Sequence, residues 1–330
     1  MRVLVTGGGG FLGGALCRRL IERGDEVTSL SRGDYPGLRE VGVRTVRADL
    51  TDTAAVARAA EGCDVVHHVA ALAGVWGRRR DYWHANVEGT RSVLEACRSA
   101  GVTRLVHTSS PSVCFDGEDH RMASNDLPRA TRFLAHYPAS KAEAEALVLD
   151  ASGPDLATCA LRPHLIFGPG DPHLLPRVVE AARAGRLARV GDGTNEVTMC
   201  FVDNAAEAHL CAGDRLQPGA PLAGQAYFIG QEEPVRIWEW LDQLLAALGD
   251  PPIRKRISLG AARTVGGLLE LLWTLLPLPG EPRMTRFVAT QLATSHSYTM
   301  EPARRDLGYR EVVGLEDATR RTAEWLRGVL

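Results

Sequence analysis

Tyr137 and Lys141 stand four positions apart in the run Tyr137-Pro138-Ala139-Ser140-Lys141. On a helix that spacing puts a phenol and an ammonium on one face, one turn apart. When a secondary alcohol and a ketone are interconverted by hydride transfer, a proton must also move to or from the oxygen. A phenol is a poor base at neutral pH, with an ordinary pKa of about 10, but a nearby cation favours the phenolate and makes Tyr137 a general acid/base. A serine from Thr108-Ser109-Ser110, at the end of the preceding strand, would hydrogen-bond the substrate oxygen and hold it for the phenol. The Y-x-x-x-K spacing alone turns up by chance on surface helices, so it gains meaning only if the chain also holds a hydride carrier.

The first thirteen residues supply a site for one. Arg2-Val3-Leu4-Val5-Thr6 reads as a buried strand, four glycines follow, and from Phe11 the apolar positions recur at helical spacing. Gly7, Gly10 and Gly13 form G-x-x-G-x-x-G in the strand–turn–helix setting that gives a glycine motif weight. The first permits a tight turn, the second lets backbone approach a pyrophosphate, and the third lets helix pack on strand. The positive end of the helix would then face the phosphates, beside Phe11 and Leu12. The chain is expected to bind a dinucleotide there.

Further strands are expected over 25–30, 44–48, 63–71 and 104–110, alternating with helices, which makes the fold class α/β: a Rossmann-type, doubly wound parallel sheet. Strand two ends in Leu30-Ser31-Arg32-Gly33, without the carboxylate that usually accepts from a ribose 2′-hydroxyl. Arg32 can instead pair with a 2′-phosphate, so NADP(H) is favoured and NAD(H) is the alternative. Asp49, followed by Leu50, can accept from an adenine amino group, and the small Ala70-Ala71 lets backbone pass close to the cofactor. His67 and His68 are adjacent on a strand and point to opposite faces, so core packing is expected and no metal site. The 74–83 segment reads as a loop whose Arg78-Arg79-Arg80 is a solvated turn, or alternatively meets an acidic substrate group, and a long helix is expected from Asn86.

The chain has 330 residues, 45% of them hydrophobic, enough for a sizeable core. A net charge of −2 with mixed signs gives no argument for a nucleic-acid partner. Seven cysteines without C-x-x-C spacing favour reduced thiols over a disulfide framework or zinc site. The first strand begins directly after Met1, with no signal peptide, and a cytoplasmic protein is expected.

Taken together, these motifs resemble the extended (atypical) short-chain dehydrogenase/reductase family over essentially the whole chain. The resemblance also runs through Asn86-Val87-Glu88-Gly89-Thr90 and Arg162-Pro163-His164-Leu165-Ile166-Phe167-Gly168-Pro169. It implies a triad of Ser110 (Ser112 in reserve), Tyr137 as acid/base, and Lys141, which orients the nicotinamide ribose and lowers the tyrosine's pKa. It also implies that Pro163 lies against the nicotinamide. Within the family the chain is most similar to the 3β-hydroxysteroid dehydrogenase branch. Arg162 to Pro176 and Asp126-Leu127-Pro128 resemble sterol-4α-carboxylate 3-dehydrogenases; 32–36, 278–281 and 300–306 look more like bacterial 2-alkyl-3-oxoalkanoate reductases. Both groups act on an oxygen β to a carboxylate in a bulky lipid, and the missing acid after strand two tips the expectation toward NADPH-dependent reduction of the oxoacid. A nucleotide-sugar epimerase or dehydratase is the more distant alternative within the fold, and a non-catalytic NADPH sensor is a further one. The substrate half is rich in Leu, Trp and Pro, which argues against a sugar diphosphate, and the intact Ser110, Tyr137 and Lys141 argue against a sensor.

The resemblance divides the chain into 1–165, mainly dinucleotide-binding, and 166–330, a smaller, mainly substrate-binding domain, with 200–230 returning to the first. Asp203 is read either as part of that return or as a helix cap. The apolar run inside 258–279 is too short to span a bilayer and is interrupted by Glu270. Three roles are expected for it: a helix over an apolar substrate tunnel, a contact with another subunit or within a biosynthetic complex, or peripheral membrane-surface docking. A homodimer with a hydrophobic small-molecule substrate is the expected assembly.

Overall fold

The computed structural model describes residues 1–172, 174–276 and 278–330. His173, in the 162–176 run, and Pro277, in the 258–279 segment, lie outside the described residues. The central sheet has seven strands among the described residues: β1 (Arg2–Thr6), β2 (Glu26–Ser31), β3 (Arg44–Arg47), β4 (Val65–His68), β5 (Arg104–Thr108), β6 (Ala157–Pro163) and β7 (Ala226–Ile229). All pair in parallel, in the order β7-β6-β5-β4-β1-β2-β3. Strands buried on both faces need a continuous apolar run rather than an alternating one. Val3, Leu4 and Val5 are accordingly all fully buried. The chain starts in the middle of the sheet and winds outward both ways, so the crevice beyond the carboxyl ends of β1 and β4 is the switch point where such folds bind ligands.

Five helices position the site: α1 (Phe11–Glu22), α2 (Gly89–Ala100), α3 (His136–Asp150), α4 (Val202–Arg215) and α5 (Leu259–Leu275). Val3 and Val5 share a core with α1 and α4, while Leu4 and Leu30 share another with α2 and the Thr53–Ala60 helix. Strand alternation thus assigns one helical layer to each face. The β7 strand belongs to the central sheet, and α4 packs on α1 through Arg19, which bonds the Asp203 carbonyl (3.0 Å) and the Glu207 carboxylate (2.5 Å). Phe201, not Asp203, holds the N-cap position, and Asp203 sits in the first turn.

A second core of Phe167, Phe201, Trp238, Trp240 and Leu241 holds the C-terminal portion, together with a four-stranded sheet built from short pieces at His120–Ala123, Glu196–Val197, Val235–Arg236 and His296–Tyr298. Helix α5 is capped by Ser258, whose Oγ accepts from the Ala261 N–H (3.2 Å). No helix among the described residues is long and apolar enough to cross a membrane.

The expected 74–83 loop and the helix from Asn86 are corrected by a helical run that begins at Arg79. Arg79–Tyr82 is α-helical, Trp83–Glu88 is π-helical, and α2 continues from there. A π-helical segment inserts an extra residue per turn and marks functional sites. Asn86 pins this one: its amide accepts from the Leu72 N–H (2.7 Å) and donates to the Leu72 carbonyl (3.0 Å) and to Ser140 Oγ (2.9 Å).

Candidate active site

The glycine turn forms a cradle that side chains would fill. Gly7 has a φ of 74°, and a Cβ on it would lie 2.7 Å from Ala70 Cα. A Cβ on Gly13 would lie 2.2 Å from the Gly7 carbonyl oxygen. Both positions therefore require glycine for close packing of turn, helix and β4. Gly10 caps α1 without a side-chain bond, which leaves N–H groups of the first turn for a ligand. The Tyr35 ring lies across Gly9, where a Cβ would come within 2.1 Å of it, and Ser31 Oγ accepts from the Gly9 N–H (3.3 Å).

From this cradle a cleft of about 540 Å³ runs along the carboxyl ends of the strands. Gly7, Gly10, Phe11, Leu12 and Gly13 line its phosphate end; Ser31, Arg32, Asp49 and Leu50 line the side beyond β2 and β3; Ala70 and Ala71 border it after β4. Ser110, Tyr137, Lys141 and Pro163 close the far end. The residues predicted for cofactor and catalysis thus face one continuous space, whose glycine cradle, bare helix end and strand-end walls fit a dinucleotide. Sequence reasoning missed Tyr35, Leu72, Ala73, His84 and Ala85 in the lining. His84 and Ala85 face the cleft from the π-helical turn, a phase that regular helical periodicity does not give. Leu165 also lines the cleft, with a φ of 41° that is costly for a β-carbon residue and turns the chain sharply after Pro163.

At the catalytic end, Ser112 Oγ donates to Ser110 Oγ (2.9 Å), and Ser110 lines the cleft together with Tyr137. Burial pushes the Tyr137 phenol above its ordinary pKa, with Ser110 pulling the other way. The buried Lys141 Nζ donates to the Thr108 carbonyl (2.6 Å) and lies 3.3 Å from His107 Nε2. Burial lowers the pKa of Lys141 to about 8, opposed by the Glu145 carboxylate. The ammonium is directed at the end of β5, desolvation dominates at the phenol, and Ser110 opposes it. A phenol held protonated is suited to giving a proton to a carbonyl oxygen.

Below the site lies a buried ionic cluster. Glu145, fully buried one turn beyond Lys141, accepts from Ser109 Oγ (2.6 Å) and takes Arg162 in a two-pronged pair (2.8 and 2.7 Å). Ser109 adjoins Ser110, and Arg162 adjoins Pro163. One carboxylate therefore ties together the three segments that deliver the serine, the tyrosine–lysine pair and the proline. His68 is held between Thr6 Oγ1 (2.8 Å) and Thr90 Oγ1 (2.9 Å), while His67 faces Gly213 on the opposite side of the sheet. Both histidines are core residues. Arg78 pairs with Asp81 (2.8 Å), and Arg79 lies over the Trp83 ring at 3.9 Å.

Residues 4–259 match the 3-beta hydroxysteroid dehydrogenase/isomerase family. The chain is 51% identical over 323 residues to the 2-alkyl-3-oxoalkanoate reductase of Stenotrophomonas maltophilia (strain K279a), covering 97% of this chain and 98% of that one. It is 34% identical to the mouse (Mus musculus) sterol-4-alpha-carboxylate 3-dehydrogenase, decarboxylating, covering 97% and 89%. Among solved structures it is similar to MoeE5 in complex with UDP-glucuronic acid and NAD, with a TM-score of 0.76 and 27% identity over the full length of both chains. The chain belongs to the 3-beta hydroxysteroid dehydrogenase/isomerase family and is an NAD(P)-dependent oxidoreductase.

Proposed function

We propose that this protein reduces the 3-oxo group of a 2-alkyl-3-oxoalkanoate to a secondary alcohol, with NADPH as the preferred reductant. The observation that carries the reading is the meeting of Ser110, from the end of β5, with Tyr137 and Lys141, from α3, at one end of the cleft whose other end is the glycine cradle. The nicotinamide of a bound dinucleotide would supply the hydride. Ser110 would hold the substrate oxygen, Tyr137 would donate its phenolic proton to that oxygen, and the Lys141 ammonium would stabilise the charge left on the phenol. A protonated phenol is the form that can give a proton to a carbonyl oxygen. Support for the substrate class comes from the relative at 51% identity, named for reduction of such an oxoacid.

NADPH is favoured by the turn after β2. Arg32 lines the cleft there, and Asp34, the carboxylate of that turn, is held by Arg39. Oxidation of a sterol 3-alcohol β to a carboxylate is the second reading, supported by the similarity to the sterol-4-alpha-carboxylate 3-dehydrogenase. It uses the same residues with the proton moving the other way.

The test follows the nicotinamide absorbance, with chromatography of the products alongside, for four substrates: a 2-alkyl-3-oxoalkanoate, its stable 3-hydroxy acid, a 4α-carboxy-3β-hydroxysterol and a UDP-sugar. NADPH oxidation by the oxoacid and NADP⁺ reduction by the hydroxy acid are expected. Turnover of the sterol alone would move the assignment to the second reading, and conversion of the UDP-sugar without net redox change would overturn both.

A further inference from the structure

A second cavity, of about 790 Å³, lies against the start of α3. Four separated stretches build it: 75–83 after β4, 133–139 around the start of α3, the 267–274 part of α5, and Arg286. It adjoins the catalytic end of the first cleft. His136 and Ala139, which flank Tyr137 on α3, are in its wall, and so is Tyr82, whose ring centre is 6.4 Å from that of Tyr137.

The wall combines broad apolar surfaces with polar groups that are largely bonded within the protein; Arg79, over the Trp83 ring, and His136 are its other polar members. Trp76, Trp83, Phe133, Leu134 and Leu271 supply the large surfaces. Glu270 accepts from the Arg286 main-chain N–H and Nε, both at 2.7 Å, so its charge is matched inside the protein. Thr274 donates its hydroxyl to the Glu270 carbonyl (2.7 Å), and Tyr82 donates its own to the Trp76 carbonyl (3.0 Å). The broad apolar surfaces bind by removing hydrocarbon from water.

A ketone placed at Tyr137 has two carbon substituents, and they must extend away from the dinucleotide cleft. We infer that the second cavity receives an alkyl chain of the substrate, with Leu271 and Gly267 of α5 setting how much of the chain it can hold. This inference rests on the oxoacid reading above. It assigns the apolar 258–279 segment a role in the wall of the substrate site, on the side of α5 where Gly267, Glu270, Leu271 and Thr274 face the cavity.

The test compares chain-length series. Wild-type kcat/KM is measured for 2-alkyl-3-hydroxyalkanoates of increasing length and is expected to rise about fourfold for each methylene buried, at roughly 0.8 kcal/mol per CH₂. In Leu271→Trp and in Gly267→Leu the rise per methylene should fall below about twofold, at chain lengths where the wild type still gains, with thermal melting run alongside to show that each variant folds. Direct binding is read from quenching of tryptophan fluorescence by a brominated long-chain alkanoate, which is expected to be lost in Trp76→Phe/Trp83→Phe. Unchanged slopes in both α5 variants, or quenching that survives the tryptophan replacements, would overturn the inference. Absence of turnover at every length, with quenching present and lost on replacement, would instead overturn the oxoacid reading and leave the cavity as a hydrocarbon site.

Discussion

The two cavities that meet at Tyr137 are built on opposite principles. The dinucleotide cleft is walled by backbone and small side chains at strand ends, and its shape is set by the register of a buried sheet: a Cβ at Gly7 or Gly13 has nowhere to go. The second cavity is walled by large side chains on the 75–83 and 133–139 stretches and on α5, where Leu271 is 55% exposed. A rigid scaffold holds a constant ligand in place, whereas side chains on loops set which of several related ligands fits. Changes in the cleft should therefore affect every substrate alike, and changes in the second cavity should discriminate among substrates.

The largest effect is expected where the two spaces touch. Tyr137→Phe keeps the ring in the wall of the cleft and removes only the proton donor. Turnover should fall about 10²–10⁴-fold, the usual contribution of a positioned acid or base, while titration calorimetry shows dinucleotide binding retained. Full activity would break the comparison, because chemistry would then lie elsewhere.

Next in size is Glu145→Ala. It leaves the Arg162 guanidinium, itself only 4% exposed, without its buried partner. Breaking such a pair costs about 3–5 kcal/mol, to be read as a lower denaturation midpoint. Glu145→Gln keeps an acceptor for Ser109 and should cost less. An unchanged midpoint in Glu145→Ala would mean that the three segments under the cleft are held by something other than this carboxylate.

The strand–glycine–helix start was legible because backbone requirements are local: the cradle needs glycine at fixed spacing, and Val3-Leu4-Val5 needs apolar neighbours on both faces. Tyr137 and Lys141 were legible through helical geometry. The second cavity was not. Trp76, Phe133 and Leu271 are ordinary apolar residues in sequence, and they become one wall only through tertiary packing of segments far apart in the chain. The π-helical Trp83–Glu88 turn was hidden for a related reason, since its phase depends on Asn86 finding the Leu72 backbone and Ser140. The direction of Lys141 likewise followed from its contact with the Thr108 carbonyl and not from its spacing to Tyr137.

The pH dependence sharpens the account of the catalytic end. Lys141 has a pKa lowered to about 8, so it is charged below that pH and neutral above it. Reductive kcat/KM should be level below pH 8 and fall about tenfold per unit above it, as the cation that stabilises the developing phenolate is lost. His107 and His68 face the same ammonium, but burial pushes both well down, so they stay neutral across this range and add no limb. Glu145 pulls the pKa of Lys141 up, so in Glu145→Gln the limb should move to lower pH. A limb that stays in place would separate Lys141 from the observed ionisation.

Arg32→Ala carries the smallest expected effect, because an exposed cation interacts through water and is screened by salt. The Arg32 carbonyl takes a bond from Arg47 Nε (3.0 Å), a main-chain contact that alanine would keep, so the turn should hold while the charge is removed. If the proposed NADPH preference comes from pairing of this guanidinium with a 2′-phosphate, KM for NADPH should rise roughly tenfold, within the range of charge-assisted hydrogen bonds, and KM for NADH should change little. Raising the ionic strength should narrow the wild-type preference in the same direction, since it weakens the same pair. Equal losses with both cofactors would assign Arg32 to shaping the cleft and leave the 2′-position unread. The contrast between a constant cleft and a selective cavity would then extend to the cofactor itself, with selection confined to the substrate side.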